Sequence, residues 1–189
     1  MQGNRSGRPS LLVVDDERDV ADTYAQLLRR EYDVRVAYGG EAALEALQEA
    51  PADVVLLDRR MPDLSGDQVL VTIRNWGLDT RVALVTAVDP SFDVLGLGFD
   101  DYLLKPVGIE TLRDTVERLL AIESYDSLWK ELSQLRVCRN VLRAEHPAEH
   151  LEANPDYRAL LDCIETLEAR ETTHRESVDR IPRVAPVRH

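Results

Sequence analysis

No apolar run in the 189 residues approaches the ~20 that a membrane-spanning helix needs. The N-terminus lacks the apolar core of a secretory signal, so the chain is expected to stay in the cytoplasm. Cysteine is scarce. Cys138 and Cys163 lie in helix-like segments without metal-ligand spacing, which rules out a disulfide framework and points to reduced, partly buried thiols. Positive charge is also short, with 23 Lys and Arg against 35 Asp and Glu, a net charge of -12. Residues 1–122 hold 22 acids and 13 bases, residues 123–189 hold 13 and 10, and the surplus is therefore -9 on the first part and -3 on the second. Such a balance argues against a broad nucleic-acid-binding surface on the first part and suits a halophilic protein living in concentrated salt. No helix-turn-helix, winged or zinc-finger pattern is visible.

What is present is a strand and helix alternation repeated five times. Leu11-Leu12-Val13-Val14 is a short buried strand ended by Asp15-Asp16-Glu17, and Val20, Tyr24, Leu27 and Leu28 recur at helical spacing. Residues 33–37 alternate as a strand, Gly39-Gly40 breaks the chain, and Ala43, Leu44 and Leu47 mark a second helix before Pro51. Val54 to Leu57 is a strand buried on both faces that delivers Asp58 to the carboxyl edge of the sheet, where open α/β folds place their chemistry. The stretch from Arg59 to Gly66 is a loop, and Val69, Leu70 and Ile73 belong to a helix that stops at Gly77. Residues 81–86 are the fourth strand and 102–104 the fifth, ended by Lys105-Pro106. The helix expected between Pro90 and Gly98 is weak, because Gly96 lies inside it. The pattern predicts an α/β fold: a flavodoxin-like, doubly wound, five-stranded parallel sheet of order 2-1-3-4-5, with a C-terminal helical coiled-coil or hairpin extension.

That extension contains neither Pro nor Gly from Ile109 to His146, and one long helix leaving the sheet domain is the economical reading, with a kink near Ser124 as the alternative. Leu112, Val116 and Leu119 face the first domain, and Tyr125, Leu128, Leu132 and Leu135 continue as an imperfect coiled-coil seam. Asn154-Pro155 starts a second helix, with Tyr157, Leu160, Ile164 and Leu167 as its seam. The two helices pack as a hairpin or pair with those of a second copy in a homodimer. The expected units are a tail over 1–10, the sheet domain over 11–122, a helical module over 123–170, and a frayed tail over 171–189 where the apolar pattern fades.

On this fold Asp15, Asp16 and Asp58 end adjacent central strands. Three carboxylates crowded on one edge repel one another unless a cation sits among them, and hard oxygen ligands suit Mg²⁺. Thr86 and Lys105, at the ends of the fourth and fifth strands, add a hydroxyl and an ammonium. A metal and a lysine flanking one free carboxylate oxygen are what transfer of a phosphoryl group to Asp58 requires. Taken singly each residue has an ordinary structural role; their convergence carries the functional reading.

The stretches VVDDE, LLDRRMPDLSG, the Thr86-Ala87 pair and DDYLLKP, in this order and spacing, resemble the signature of response-regulator receiver domains over residues 11 to about 122. The resemblance implies that Asp58 accepts a phosphoryl group from a sensor histidine kinase and that Asp15, Asp16, Asp58 and the backbone carbonyl of Arg60 hold Mg²⁺. It further implies that Thr86, Ala87 and Lys105 bind the phosphoryl group, that Thr86 and Tyr102 form the switch, and that the Lys105-Pro106 bond is cis. No independent catalytic activity is expected. Residues 123 to about 170 resemble the HalX module of haloarchaeal receiver proteins, with Gly108 a departure where a helix-capping side chain is usual. Two outputs stay open: control of transcription, with DNA as a partner, or a docking adaptor of a phosphorelay without DNA binding. The run His146-Pro147-Ala148-Glu149-His150 fits an inverted zinc-peptidase pattern but lies in a polar linker and reads as coincidence.

Overall fold

The computed structural model describes residues 7–121 and 127–179. Five parallel strands, β1 (Ser10–Val14), β2 (Asp33–Ala37), β3 (Val54–Leu57), β4 (Arg81–Thr86) and β5 (Asp101–Leu104), form one sheet in the expected order β2-β1-β3-β4-β5. β3 and β4 are buried throughout, because helices cover both faces. On one face α1 (Arg18–Leu28) and α4 (Ile109–Ala121) pack Ala21, Ala25, Leu28, Leu112, Val116 and Leu119 against Leu11, Val13, Val54, Leu56, Ala83 and Val85. On the other, α2 (Gly40–Glu49) and α3 (Gly66–Asn75) bring Ala43, Leu47, Val69, Leu70 and Ile73 to the side chains that alternate with these. α3 starts at a capping box in which Ser65 and Gln68 bond reciprocally to each other's backbone N–H, and ends before Gly77 at φ 66°.

The connection from β4 to β5 builds only a 3₁₀ turn, Phe92–Val94. Gly96 and Gly98 sit at φ 77° and 74°, left-handed conformations that end any helix there. The second face of the sheet would therefore lie open over β4 and β5. It is covered instead by α5 (Ser127–Glu145), whose Leu132, Cys138 and Leu142 are buried in the same cluster as Val82, Leu84, Val94, Phe99 and Tyr102. Polar contacts fix its direction. Lys130 donates to Asp79 (3.0 Å) and Gln134 to Asp100 (3.0 Å) near the strand starts, while His146 meets the Pro90 carbonyl (2.9 Å) beyond the end of β4.

The expectation of a helix that leaves the sheet domain is thus corrected: α4 packs on one face of the sheet and α5 runs along the other, because its apolar residues complete an otherwise uncovered core. Tyr125 and the expected kink at Ser124 lie outside the described residues. After the short α6 (Ala148–Ala153), α7 (Pro155–Asp179) packs on α5. The Asn154 carboxamide oxygen caps it, accepting from the backbone N–H of Asp156 (2.8 Å) and Tyr157 (3.1 Å). Tyr157, Leu160, Ile164 and Leu167 are buried within the chain, and Leu128 and Leu135 are partly buried against the same cluster, so these seams close an intramolecular hairpin rather than standing free for a second copy. α7 continues to Asp179, and the remainder of the tail expected over 171–189 lies outside the described residues.

Candidate functional site

The carboxyl edge of the sheet brings together side chains from four segments. Parallel register aligns Val14 with Leu57, and the next residues, Asp15 and Asp58, emerge side by side, with the Asp58 N–H donating to the Val14 carbonyl (2.9 Å). Asp15 is 2% exposed and Asp58 6%, whereas Asp16 is open to solvent. Ligand oxygens of Asp15, Asp16 and Asp58 lie within 4.8 Å of one another. Lys105 enters from the end of β5, its Nζ 2.7 Å from Asp15 Oδ2 and 3.4 Å from Asp58 Oδ1. The Lys105–Pro106 bond is cis.

Burial is the main force on these groups. It raises the Asp58 pKa above the ordinary carboxylate value; Lys105 opposes the rise and the Asp15 charge adds to it. Burial pulls the Lys105 pKa down, but hydrogen bonding to Asp15 and the charges of both acids more than offset this and leave it raised. The donor set fits a hard divalent cation: three carboxylates converge, and two of them, Asp15 and Asp58, are buried.

Thr86 is buried, and its Oγ1 accepts from the Val88 N–H (3.3 Å); Ala87 beside it is exposed. Tyr102 is buried and donates its hydroxyl proton to the Val88 carbonyl (2.6 Å), so both side chains hold the same loop after β4. Arg60 is exposed, two residues after Asp58. The loop between them and α3 is packed so closely that a side chain at Gly66 would meet the Asp58 carbonyl oxygen at 2.1 Å.

One residue had no signal in the sequence. Arg59 is 5% exposed, donates from Nε and Nη2 to Asp67 (2.9 and 3.0 Å) and from Nη2 to Asp93 (2.5 Å). Asp67 could have been suspected from its position in the first turn of α3, but Asp93 is 34 residues away and only the fold brings it near.

A doubly wound sheet whose carboxyl edge carries clustered acids, a buried threonine and a lysine defines a receiver-type signalling domain. Comparison with known proteins gives the family. The model of the response regulator receiver domain matches residues 11–117, and that of the HalX domain matches residues 121–182. The chain belongs to the response regulators, as a receiver domain followed by a HalX domain. It is 41% identical to a candidate transcriptional regulator of Haloferax volcanii over 95% of its own length and 31% of that protein's. It is 43% identical to the transcriptional regulatory protein CutR of Streptomyces coelicolor, over 58% of this chain and 52% of the relative. The chain thus spans about a third to a half of these relatives. Among solved structures, the chemotaxis protein CheY4 of Vibrio cholerae aligns with TM-score 0.58 and 27% identity, covering 60% of this chain and 100% of CheY4. The receiver domain of the response regulator NarL from Mycobacterium tuberculosis aligns with TM-score 0.57 and 30% identity, covering 61% and 98%.

Proposed function

We propose that Asp58 is the phosphoacceptor of a two-component relay, with a sensor histidine kinase as donor. The observation that supports this most is the placing of Lys105 between Asp15 and Asp58, 2.7 and 3.4 Å away, which sets a fixed cation beside a buried carboxylate at the open edge of the sheet. In the transfer an Asp58 carboxylate oxygen attacks phosphorus, the phosphorus–nitrogen bond to the kinase histidine breaks, and the imidazole leaves with the bonding pair. Asp15, Asp16, Asp58 and the Arg60 carbonyl would hold Mg²⁺, which when bound neutralises charge on the phosphoryl oxygens. Lys105 binds one of those oxygens, and Thr86 and the Ala87 backbone bind another. Thr86 donates its hydroxyl inward, and Tyr102, tied to the same loop through Val88, follows it as the switch. The reaction is acceptance of a group; no separate catalytic activity is assigned. The HalX part is the output, and the names of the relatives support an action on transcription.

Incubation with acetyl phosphate and Mg²⁺ is expected to add one acid-labile phosphoryl group to the parent chain and none to Asp58→Asn. Equal labelling of the variant rejects the assignment.

A further inference from the structure

A cavity of about 250 Å³ lies where the sheet domain meets the C-terminal helices. Pro90, Leu103, Pro106 and Val107 line it from the sheet domain, and Val141 and Glu145 line it from the last turns of α5. Neither part makes it alone: the cavity exists because α5 runs along the sheet and ends beside the loop from β5 to α4. Its walls are set in advance. Two of the lining residues are prolines, whose rings fix the backbone, and His146 meets the Pro90 carbonyl (2.9 Å), fastening the end of α5 there. A preformed, mostly apolar hollow at a domain boundary is the usual setting of a small-molecule site, and a volume short of the ~300 Å³ of drug-sized sites calls for a compact occupant.

Charge selects that occupant. No Lys, Arg or His lines the cavity, and Lys105, between the lining residues Leu104 and Pro106, turns its ammonium to Asp15 and Asp58, 2.7 and 3.4 Å away. Nothing in the walls would hold a phosphate or a carboxylate. The positive end of α4 reaches the cavity at Gly108 and Thr111, but Glu110 in its first turn offsets it. The α5 wall is negative twice over. The helix presents the carbonyl end of its dipole there, and Glu145 adds a full charge in the last turn, where that end repels a carboxylate. Arg143, the base of the same turn, donates instead to the Tyr157 hydroxyl of α7 (2.9 Å). Among the described residues the Glu145 carboxylate has no ion-pair or hydrogen-bond partner.

We propose that this cavity binds a small organic ammonium ion, whose hydrocarbon body fills the apolar hollow while its charge meets Glu145 and the end of α5. Because residues of both parts line the site, the ligand binds only their docked arrangement and stabilises it. The site is independent of the reading of Asp58 as phosphoacceptor.

The test titrates the full, ¹⁵N-labelled chain with isobutyl-, cyclohexyl- and 2-phenylethylammonium chloride at constant ionic strength, and with the neutral alcohol that matches each. At least one ammonium probe is expected to saturate with a Kd of about 1–10 mM, shifting the amide signals of Val107, Gly108, Val141 and Ala144. It should bind about threefold more tightly than its alcohol, the size of effect an exposed carboxylate supplies. At ten times its Kd it should raise Tm by about 3–6 °C. In Glu145→Gln the preference for the cation disappears while the alcohol binds as before, which shows the hollow intact. Ala144→Trp, at an exposed position on the rim, fills the hollow and abolishes binding of both. Saturation by none of the three probes, equal affinity for ammonium and alcohol in the parent, or a preference that survives Glu145→Gln overturns the proposal. Binding undiminished in Ala144→Trp puts the probe elsewhere and overturns it as well.

Discussion

Lys105 and Asp15 form the tightest ion pair of the site, 2.7 Å apart, while the same ammonium stands 3.4 Å from Asp58. The cation thus satisfies Asp15 first and leaves Asp58 the less compensated of two buried carboxylates. A carboxylate in that position is unfavourable for folding and well placed for a reaction that adds a group to it.

Stability should register the imbalance. Burial, opposed by Lys105 and reinforced by Asp15, raises the Asp58 pKa, so the folded state holds this proton more tightly than the unfolded chain does. The sign follows: stability falls as pH rises from the ordinary aspartate range through the raised value, and the loss is complete above it. Asp58→Asn removes the ionisable group. In EDTA at pH 7 it is expected to raise Tm, by about 2–4 °C for each kcal/mol relieved in a chain of this size. The advantage should shrink as pH falls through about 4, the ordinary aspartate range, and vanish once Asp58 is protonated in the unfolded chain as well. Calorimetry across this pH range checks it, and a Tm below the parent's at pH 7 contradicts it.

Metal binding should depend on the exposed member of the cluster. Asp16→Ala removes one of three converging carboxylates and is expected to weaken Mg²⁺ binding and acetyl phosphate labelling together. Isothermal calorimetry measures the first; an unchanged Mg²⁺ affinity would remove Asp16 from the ligand set.

Gly66→Ala tests the packing beneath Asp58. Alanine in place of a helical glycine ordinarily stabilises by about 1 kcal/mol. Here the added carbon would meet the Asp58 carbonyl oxygen at 2.1 Å and the Arg59 Cα at 2.8 Å, both backbone atoms that cannot swing aside. A net loss of about 1–3 kcal/mol is expected, with slower labelling because the phosphoacceptor backbone shifts. Urea denaturation showing a gain in stability would mean the loop gives way freely.

Leu132 reports on the union of the two domains. It is fully buried, and Leu132→Ala is expected to cost about 2–5 kcal/mol. Since its cluster includes Val82, Leu84 and Tyr102 of the sheet, the loss should lower the unfolding temperature of the receiver itself, in one cooperative transition. A variant in which the C-terminal helices melt early while the receiver transition stays in place would show the two to be independent.

The sequence alone determined the sheet. Val- and Leu-rich runs of four to six residues, separated by helical spacing, leave a parallel doubly wound order as the economical arrangement, and a strand-end acid in such a sheet must stand at its carboxyl edge. Asp15, Asp16, Asp58, Thr86 and Lys105 were legible for that reason: each lies at or just past the end of a strand, and strand ends share an edge whatever packs on the faces. The helix stop at Gly77 and the start at Asn154-Pro155 were local chemistry and equally legible.

Only the tertiary structure decided where α5 goes. Spacing shows that Leu128, Leu132 and Leu135 line one side of a helix, but an apolar stripe fits any apolar groove, in the same chain or in another. The choice was made elsewhere, by a β4–β5 connection too short and too glycine-rich to cover its own sheet face, so that Leu132, Cys138 and Leu142 bury most surface by filling it. The same holds for Arg59 and Asp93, whose pairing spans 34 residues and exists only because that connection folds back beside the β3–α3 loop. Local periodicity fixes which face of an element is apolar, and the removal of that face from water fixes its partner only when all the elements compete for one core.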